Sequence, residues 1–253
     1  MNHQEALLKA EHLSISIADT LIVNAFSLEV KPRELVCLVG RSGSGKSTIF
    51  HALAGLTCPQ EGAVTLAGQD ITGKPGNVSY MLQKDLLLPN LKTWENVALP
   101  LLVTGVSKER AQATAKSLLE EFGLLQIAQA WPYELSGGMR QRVAFLRTFI
   151  QHKDCMLLDE PFSALDAITR SDIRWWFLSL LDRRKASCIM VTHDVDEAVV
   201  MADRICILAG KPQQGVPGHK VCEIQVDVPR QNRKEFSLSR QFLDIKREVL
   251  VHL

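Results

Sequence analysis

The sequence predicts an α/β fold, a mainly parallel sheet carrying an antiparallel β annex and a helical subdomain. Three observations predict it. Short continuous apolar runs, Leu35-Val-Cys-Leu-Val39 above all, have the pattern of strands covered on both faces. Longer stretches of helical period lie between such runs, so strands and helices alternate along the chain, as parallel sheets require. The opening residues instead alternate loosely between apolar and polar, the pattern of half-buried antiparallel strands.

Taken in order, residues 12–30 carry Leu13, Ile15 and Ile17, then Phe26, Leu28 and Val30, and form that annex. The run 35–39 ends in Gly40-Arg-Ser-Gly-Ser-Gly-Lys-Ser-Thr48, and a helical pattern continues through Ile49, Leu53 and Ala54 to a stop at Gly55. A Gly- and Pro-punctuated hairpin region covers 58–78, and a short strand covers Tyr80 to Gln83. Residues 84–131 are mostly helical, with Lys108 to Phe122 amphipathic and Gly123 as its stop. Then follow helix 137–150, strand 155–159, helix 167–184, strand 188–192, helix 195–202 and strand 204–209. From Gly210 the pattern predicts a loop, a short strand from Cys222 to Val228 and a closing helix near 237–250.

At 253 residues the chain is long enough for one substantial core, and the expectation is a single domain over 1–253. The helical subdomain is expected at about 84–152, and a C-terminal extension at about 210–253. An apolar fraction of 46% with 23% charged residues excludes a disordered chain. Lys plus Arg number 29 against 28 Asp plus Glu, a net charge of +1, which argues against nucleic acid or an anionic membrane surface as a bulk partner. A mean hydropathy of +0.03 is slightly high for a free-standing soluble protein and points to apolar surface committed to a partner. Glu5, Lys9 and Glu11 fall where a signal peptide needs an unbroken apolar stretch. The nearest approach to a membrane span, Val97 to Val106, is interrupted by Pro100, Thr104 and Gly105. The six cysteines show no CxxC pair, so a reduced cytosolic chain with no structural metal site is expected.

The chemistry begins at Gly40-x-x-x-x-Gly45-Lys46-Ser47, a phosphate-binding loop set between a buried strand and a helix. Its glycines let the backbone curl, so successive N–H groups converge on the β- and γ-phosphates at a helix N-terminus. Lys46 neutralises charge there, and the Ser47 hydroxyl suits Mg²⁺. Gly40, Ser42, Gly43, Ser44, Gly45, Lys46, Ser47 and Thr48 are the candidates for holding a nucleotide. Met156-Leu-Leu-Asp-Glu-Pro161 ends a strand in two adjacent carboxylates, and alternate side chains at a strand end point in different directions. Asp159 can therefore reach Mg²⁺ through water while Glu160 faces the nucleophile. A general base in that position contributes ~10²–10⁴-fold. Ser136 is a good N-cap for helix 137–150, and Gly137 and Gly138 leave the backbone donors behind it open to an anion. That makes a second phosphate-facing surface on the same chain.

With these motifs in order, the chain resembles the ATP-binding subunits of ABC transporters over residues 8–210. The resemblance implies Gln83 as the Q-loop glutamine, Ser136 to Gln141 as the signature motif, Ser163-Ala-Leu-Asp166 as the D-loop and His193 as the switch histidine. It implies ATP and Mg²⁺ as cofactors, with Glu160, His193 and Gln83 catalytic and Ser47, Gln83 and Asp159 at the metal. Two cassettes of that family close head to tail, so a second copy would bring Ser136, Gly137, Gly138 and Asp166 to the nucleotide. Membrane permease subunits are the other implied partners, with an extracytoplasmic substrate-binding protein acting indirectly and no nucleic acid. The implied place is the cytoplasmic face of the inner membrane, peripherally.

Two departures stand out. Ile17 occupies the position at which the family usually stacks an aromatic ring on adenine, and Met139 stands where many members carry Gln. Leu135-Ser-Gly-Gly-Met-Arg-Gln-Arg142 with Ala164-Leu-Asp-Ala-Ile-Thr-Arg170 resembles the nitrate/sulfonate/taurine importer branch, and Tyr80 to Pro89 resembles its pyrimidine- or thiamine-precursor members. In such importers, apolar stretches like Leu86 to Leu91 and Val97 to Leu102 belong to a groove that receives a helix of the permease. A soluble cassette ATPase of a cofactor or iron–sulfur assembly complex is the alternative reading.

Overall fold

In the computed structural model, residues 6–163 and 165–253 are described; Glu5 and Ala164 of the motifs above lie outside them. The chain opens with β1 (Leu8–Ile17) and β2 (Thr20–Val30), an antiparallel pair. Next come β3 (Leu35–Gly40), α1 (Lys46–Leu53), β4 (Glu61–Leu66), β5 (Gln69–Asp70) and β6 (Ser79–Met81). The helical stretch contains α2 (Thr93–Val103), α3 (Lys108–Glu121) and α4 (Gly137–Phe149). They are followed by β7 (Cys155–Asp159), α5 (Ala167–Arg184), β8 (Ser187–Thr192), α6 (Val195–Met201) and β9 (Arg204–Lys211). The chain closes with β10 (Val216–Gln225), α7 (Arg233–Phe236) and α8 (Arg240–Val251). Among the described residues no helix is long and apolar enough to cross a membrane.

One ten-stranded sheet runs in the order β5-β4-β1-β2-β10-β9-β3-β8-β7-β6. From β9 to β6 every pair is parallel, whereas β5, β4, β1 and β2 pair antiparallel, as the two patterns in the sequence predict. The joint between the halves departs from expectation. Residues 216–221, expected as loop, begin β10, which lies antiparallel to β9 and meets β2 in parallel at Gly218↔Val23. Pro217 and Gly218 read as turn residues, but a glycine inside a strand also marks a close backbone approach. A β-carbon at Gly218 would collide with the Ser44 carbonyl, so this seam strand passes directly against the phosphate-binding loop.

The sheet is buried on both faces. In β3, Leu35, Cys37 and Val39 join the cluster under α4, α5, α6 and α8, while Val36 and Leu38 join the cluster under α1 and the annex. That alternation is the strand's period of two resolved between two cores. Four cysteines lie fully buried in these strands as free thiols, and burial pushes Cys155 and Cys206 up to about 12.

The C-terminal segment returns onto the core. Arg233 is fully buried and donates to the carbonyls of Ala202 and Val228, both at 2.7 Å, closing the C-terminal end of α6. Arg230 binds Asp203 at 2.6 Å, and Asp203 also accepts from the Leu35 amide at the start of β3 at 2.8 Å. Lys246 on α8 pairs with Asp196 on α6 at 2.6 Å.

Candidate functional site

Because β3, β7 and β8 run parallel, their carboxyl ends lie along one edge, where ligands of open α/β sheets bind. The loop after β3 turns into α1 through Gly45, whose φ of 96° is a conformation that L side chains rarely adopt. Lys46 folds back over this loop and donates to the carbonyls of Gly40 and Arg41, both at 2.8 Å. Burial lowers its pKa, while Glu160 and Asp159 act the other way. The Ser44 hydroxyl is buried inside the loop with no hydrogen-bond partner.

Asp159 ends β7, and Glu160 follows in a left-handed backbone, φ 45°, that costs a residue with a β-carbon about 1–2 kcal/mol. The turn is held by the Glu160 amide donating to Val191 O at 2.9 Å and by the Ser163 hydroxyl donating to Glu160 O at 3.0 Å. The pleat therefore does not aim the second carboxylate, as strand alternation suggested; a strained turn does. It aims Glu160 Oε2 at two of the expected partners. Gln83 Nε2, two residues beyond β6, donates to it at 2.9 Å, and His193 Nδ1, from the end of β8, lies 3.2 Å away. Asp159 is half-buried beside Glu160, and desolvation followed by that like charge raises its pKa.

Among the described residues no group of three His, Cys, Asp or Glu side chains could enclose a metal. The donor set here is of another kind, a carboxylate and the Ser47 hydroxyl beside a phosphate-binding loop. It suits Mg²⁺, which keeps waters and shares its ligands with phosphates. Burial and the neighbouring charge of Glu160 disfavour the ionised form of Asp159, which fits a cation between protein and phosphate.

The second surface takes its form from α4. Ser136 caps it, accepting from Met139 N at 3.3 Å. A β-carbon on Gly138 would strike Thr169 Cγ2, at 2.5 Å, so the absence of bulk there is explained by packing of α4 on α5 within this chain. Gly137 has no such neighbour. Asp166 caps α5 by accepting from Ile168 N at 3.1 Å and Thr169 N at 3.0 Å, and the hydrogen bonds from Thr169 hold its carboxyl below the usual range.

A cavity of about 290 Å³ opens at the phosphate loop, walled by Ser42, Gly43, Gly45 and Lys46 to Thr48, with Glu160 at its inner side. Ile17 is in its wall, 57% exposed. Ile22, Pro212 and Gln213 share that wall and went unrecognised. Residues 212–214 form a short turn between β9 and β10, so only the pairing of β10 with β2 brings them here. Ser136, Gly137, Gly138 and Asp166 do not line this cavity. Gly137 instead borders a second cavity of about 590 Å³ with Gln83, Leu86, Leu87, Ser163 and Leu165.

Known proteins resemble this chain in sequence and fold. The family described as ABC transporter matches residues 23–163. The formylaminopyrimidine import ATP-binding protein ThiZ of Halalkalibacterium halodurans is 35% identical, over 96% of this chain and 94% of its own length. The bicarbonate transport ATP-binding protein CmpC of Synechococcus elongatus is 38% identical over 85% of this chain, which spans 32% of that longer protein. A solved dimeric ATP-binding cassette in a post-hydrolysis state, bound to ADP and Pi, superposes with a TM-score of 0.73 at 27% identity, covering 88% of this chain and all of its own.

Two outcomes are expected of this site. Asp159 holds its proton more tightly in the folded than in the unfolded chain. Ionising it therefore costs stability above the unfolded carboxylate range, and the cost fades as the pH falls through the raised folded value. Asp159→Asn is accordingly more heat-stable than the parent near neutral pH, with the gain shrinking in acid; equal melting at neutral pH contradicts it. Ile17→Tyr places a ring in the cavity wall and tightens ATP binding by ~0.5–1.5 kcal/mol in an equilibrium titration, whereas unchanged or weaker binding removes Ile17 from the base-binding surface.

Proposed function

The chain belongs to the ABC transporter family and is an ATPase of that family, and we propose that it acts, over its whole length as one unit, as the energising subunit of an importer. It works peripherally on the cytoplasmic face of the inner membrane. The observation that carries the reading is the meeting of Gln83 and His193 on one oxygen of Glu160, beside the phosphate-loop lysine.

In this mechanism the curled backbone of 40–45, Lys46 and Thr48 hold the phosphates of ATP. Ser47, Asp159 and Gln83 would hold Mg²⁺, which would neutralise phosphate charge. Glu160 Oε2 accepts the proton of the attacking water, and His193 steadies both that carboxylate and the γ-phosphate. Ser136, Gly137, Gly138 and Asp166 lie outside their own phosphate-loop cavity. In a head-to-tail pair of identical chains they close over the nucleotide on the partner subunit's Lys46. ATP binding closes the pair and hydrolysis releases it.

The permease reads that motion at the second cavity. Leu86 lines it and is half exposed, and Leu82 and Leu88, also exposed, lie close to it in the chain. Arg147 donates to the carbonyls of Leu86, at 2.7 Å, and Asp85, and Arg140 pairs with Asp85 at 3.2 Å. Gln141 on the same helix donates to Pro161 O, next to Glu160. A helix pressed into this cavity therefore moves Gln83 on one side and the 160–163 turn on the other. The cargo proposed is of the formylaminopyrimidine class, because Tyr80 to Pro89 resembles the pyrimidine-precursor members and ThiZ matches over nearly the whole of both chains.

Affinity purification from detergent extracts tests this. The tagged chain is expected to recover an integral membrane permease, and Leu86→Asp to lose it while still binding ATP. Recovery of soluble assembly factors alone overturns the importer reading.

A further inference from the structure

One cation stands where two segments flanking Glu160 meet. Arg170, on the first turn of α5, donates through Nη2 to the Leu165 carbonyl at 2.7 Å, which closes the chain segment leaving Glu160. Through Nη1 it donates to Asp194 Oδ2 at 3.5 Å, and its Nε lies 3.8 Å from Glu197 Oε1. Those two carboxylates build the turn that presents His193. Asp194 Oδ1 accepts from the amides of Asp196 at 2.9 Å and Glu197 at 3.2 Å, starting α6. The Thr192 hydroxyl accepts from Asp194 N at 3.0 Å and donates to Glu197 Oε2 at 2.8 Å. His193 thus sits inside a loop of hydrogen bonds whose two acids share one guanidinium.

We propose that Arg170 is a positioning residue for ATP hydrolysis. It ties the His193 turn to the Glu160–Leu165 segment, so that histidine and carboxylate stay in register as the site opens and closes. The inference rests on the reading of Glu160 and His193 as the hydrolytic pair. Glu197 is 3% exposed, and two cations, Arg174 and Arg170, face it, of which only Arg170 also reaches the Glu160–Leu165 segment. A forked, planar group donates to Leu165 O and Asp194 Oδ2 in fixed geometry while setting its charge beside Glu197, whereas an ammonium is a point charge without that fork. Removing the fork cuts the tie between the Leu165 carbonyl and Asp194 and leaves Arg174 alone facing Glu197, and the turn relaxes away from Glu160. Arg170 does not line the phosphate-loop cavity, so nucleotide binding does not depend on it.

Steady-state kinetics on the full chain, with a fluorescent ATP analogue for affinity, separate these effects. Arg170→Met is expected to lower kcat about tenfold or more while KM and analogue affinity change by less than about twofold, and Arg170→Lys to recover part of the loss. The deciding readout is the double variant. If Arg170 acts through His193, Arg170→Met combined with His193→Ala is no slower than His193→Ala alone. Multiplying losses, or an Arg170→Met enzyme with parental kcat, overturns the proposal. Should Arg170→Met not fold, Glu197→Gln keeps the Thr192 hydrogen bond while removing the charge, and the same kcat loss and the same non-additivity with His193→Ala are required of it. A His193→Ala chain with full turnover instead discredits the hydrolytic reading beneath the inference, a result distinguishable from failure of Arg170 alone.

Discussion

Val39 pairs with Thr192, and Asp159 with Val191, in the parallel centre of the sheet. Three strands therefore end at one level, and the phosphate loop, the carboxylates and the histidine turn all leave from that line. Everything chemical in the protein depends on this register. A slip of one residue in β7 would reverse every side chain along it between the two cores and carry Asp159 and Glu160 off the edge. The register is secured by burial on both faces, where Leu157 packs on the α1 side and Met156 and Leu158 on the other. Hydrophobic patterning thus fixes the positions of polar groups that contribute nothing favourable to folding themselves.

The polar groups work against stability. Lys46 and Asp159 are each partly desolvated in the direction that disfavours their charged forms, and Glu160 adds a like charge in a strained backbone. Nothing in the core requires this arrangement. It makes sense as a site held ready for a polyanion and its cation, with the necessary rigidity supplied by the surrounding hydrogen bonds: Val191 and Ser163 to the Glu160 backbone, and Thr192, Asp194 and Arg170 around the histidine. The tail contributes indirectly, with Arg233 closing the far end of α6 and Lys246 bracing its side.

Much of this was legible in the residues. Continuous apolar runs mark the parallel strands, and strand-loop-helix context gives Gly40 to Thr48 its meaning, because both are local signals. What escaped is non-local. Gly218 looks like a turn residue until Ser44 is seen against it, and Pro212 and Gln213 reach the cavity only through a pairing between residues nearly two hundred positions apart. The aim of Glu160 follows from a left-handed turn that an ordinary glutamate does not announce, since sequence pattern offers only strand alternation as a guide. Gly138, whose small size suggested an anion, answers within this chain to Thr169.

In the proposed mechanism Glu160 takes the proton from water while the rest of the site binds and encloses ATP. The most direct measurement is of oligomeric state and turnover together, on Glu160→Gln with MgATP. The neutral amide keeps the size of the side chain and its contact with Gln83 but cannot act as a base. Tight ATP binding is expected, with turnover lowered by at least about a hundredfold and a stable dimer that falls apart when ATP is withdrawn. A Glu160→Gln chain that hydrolyses ATP at the parental rate, or binds it without any dimer, would contradict it.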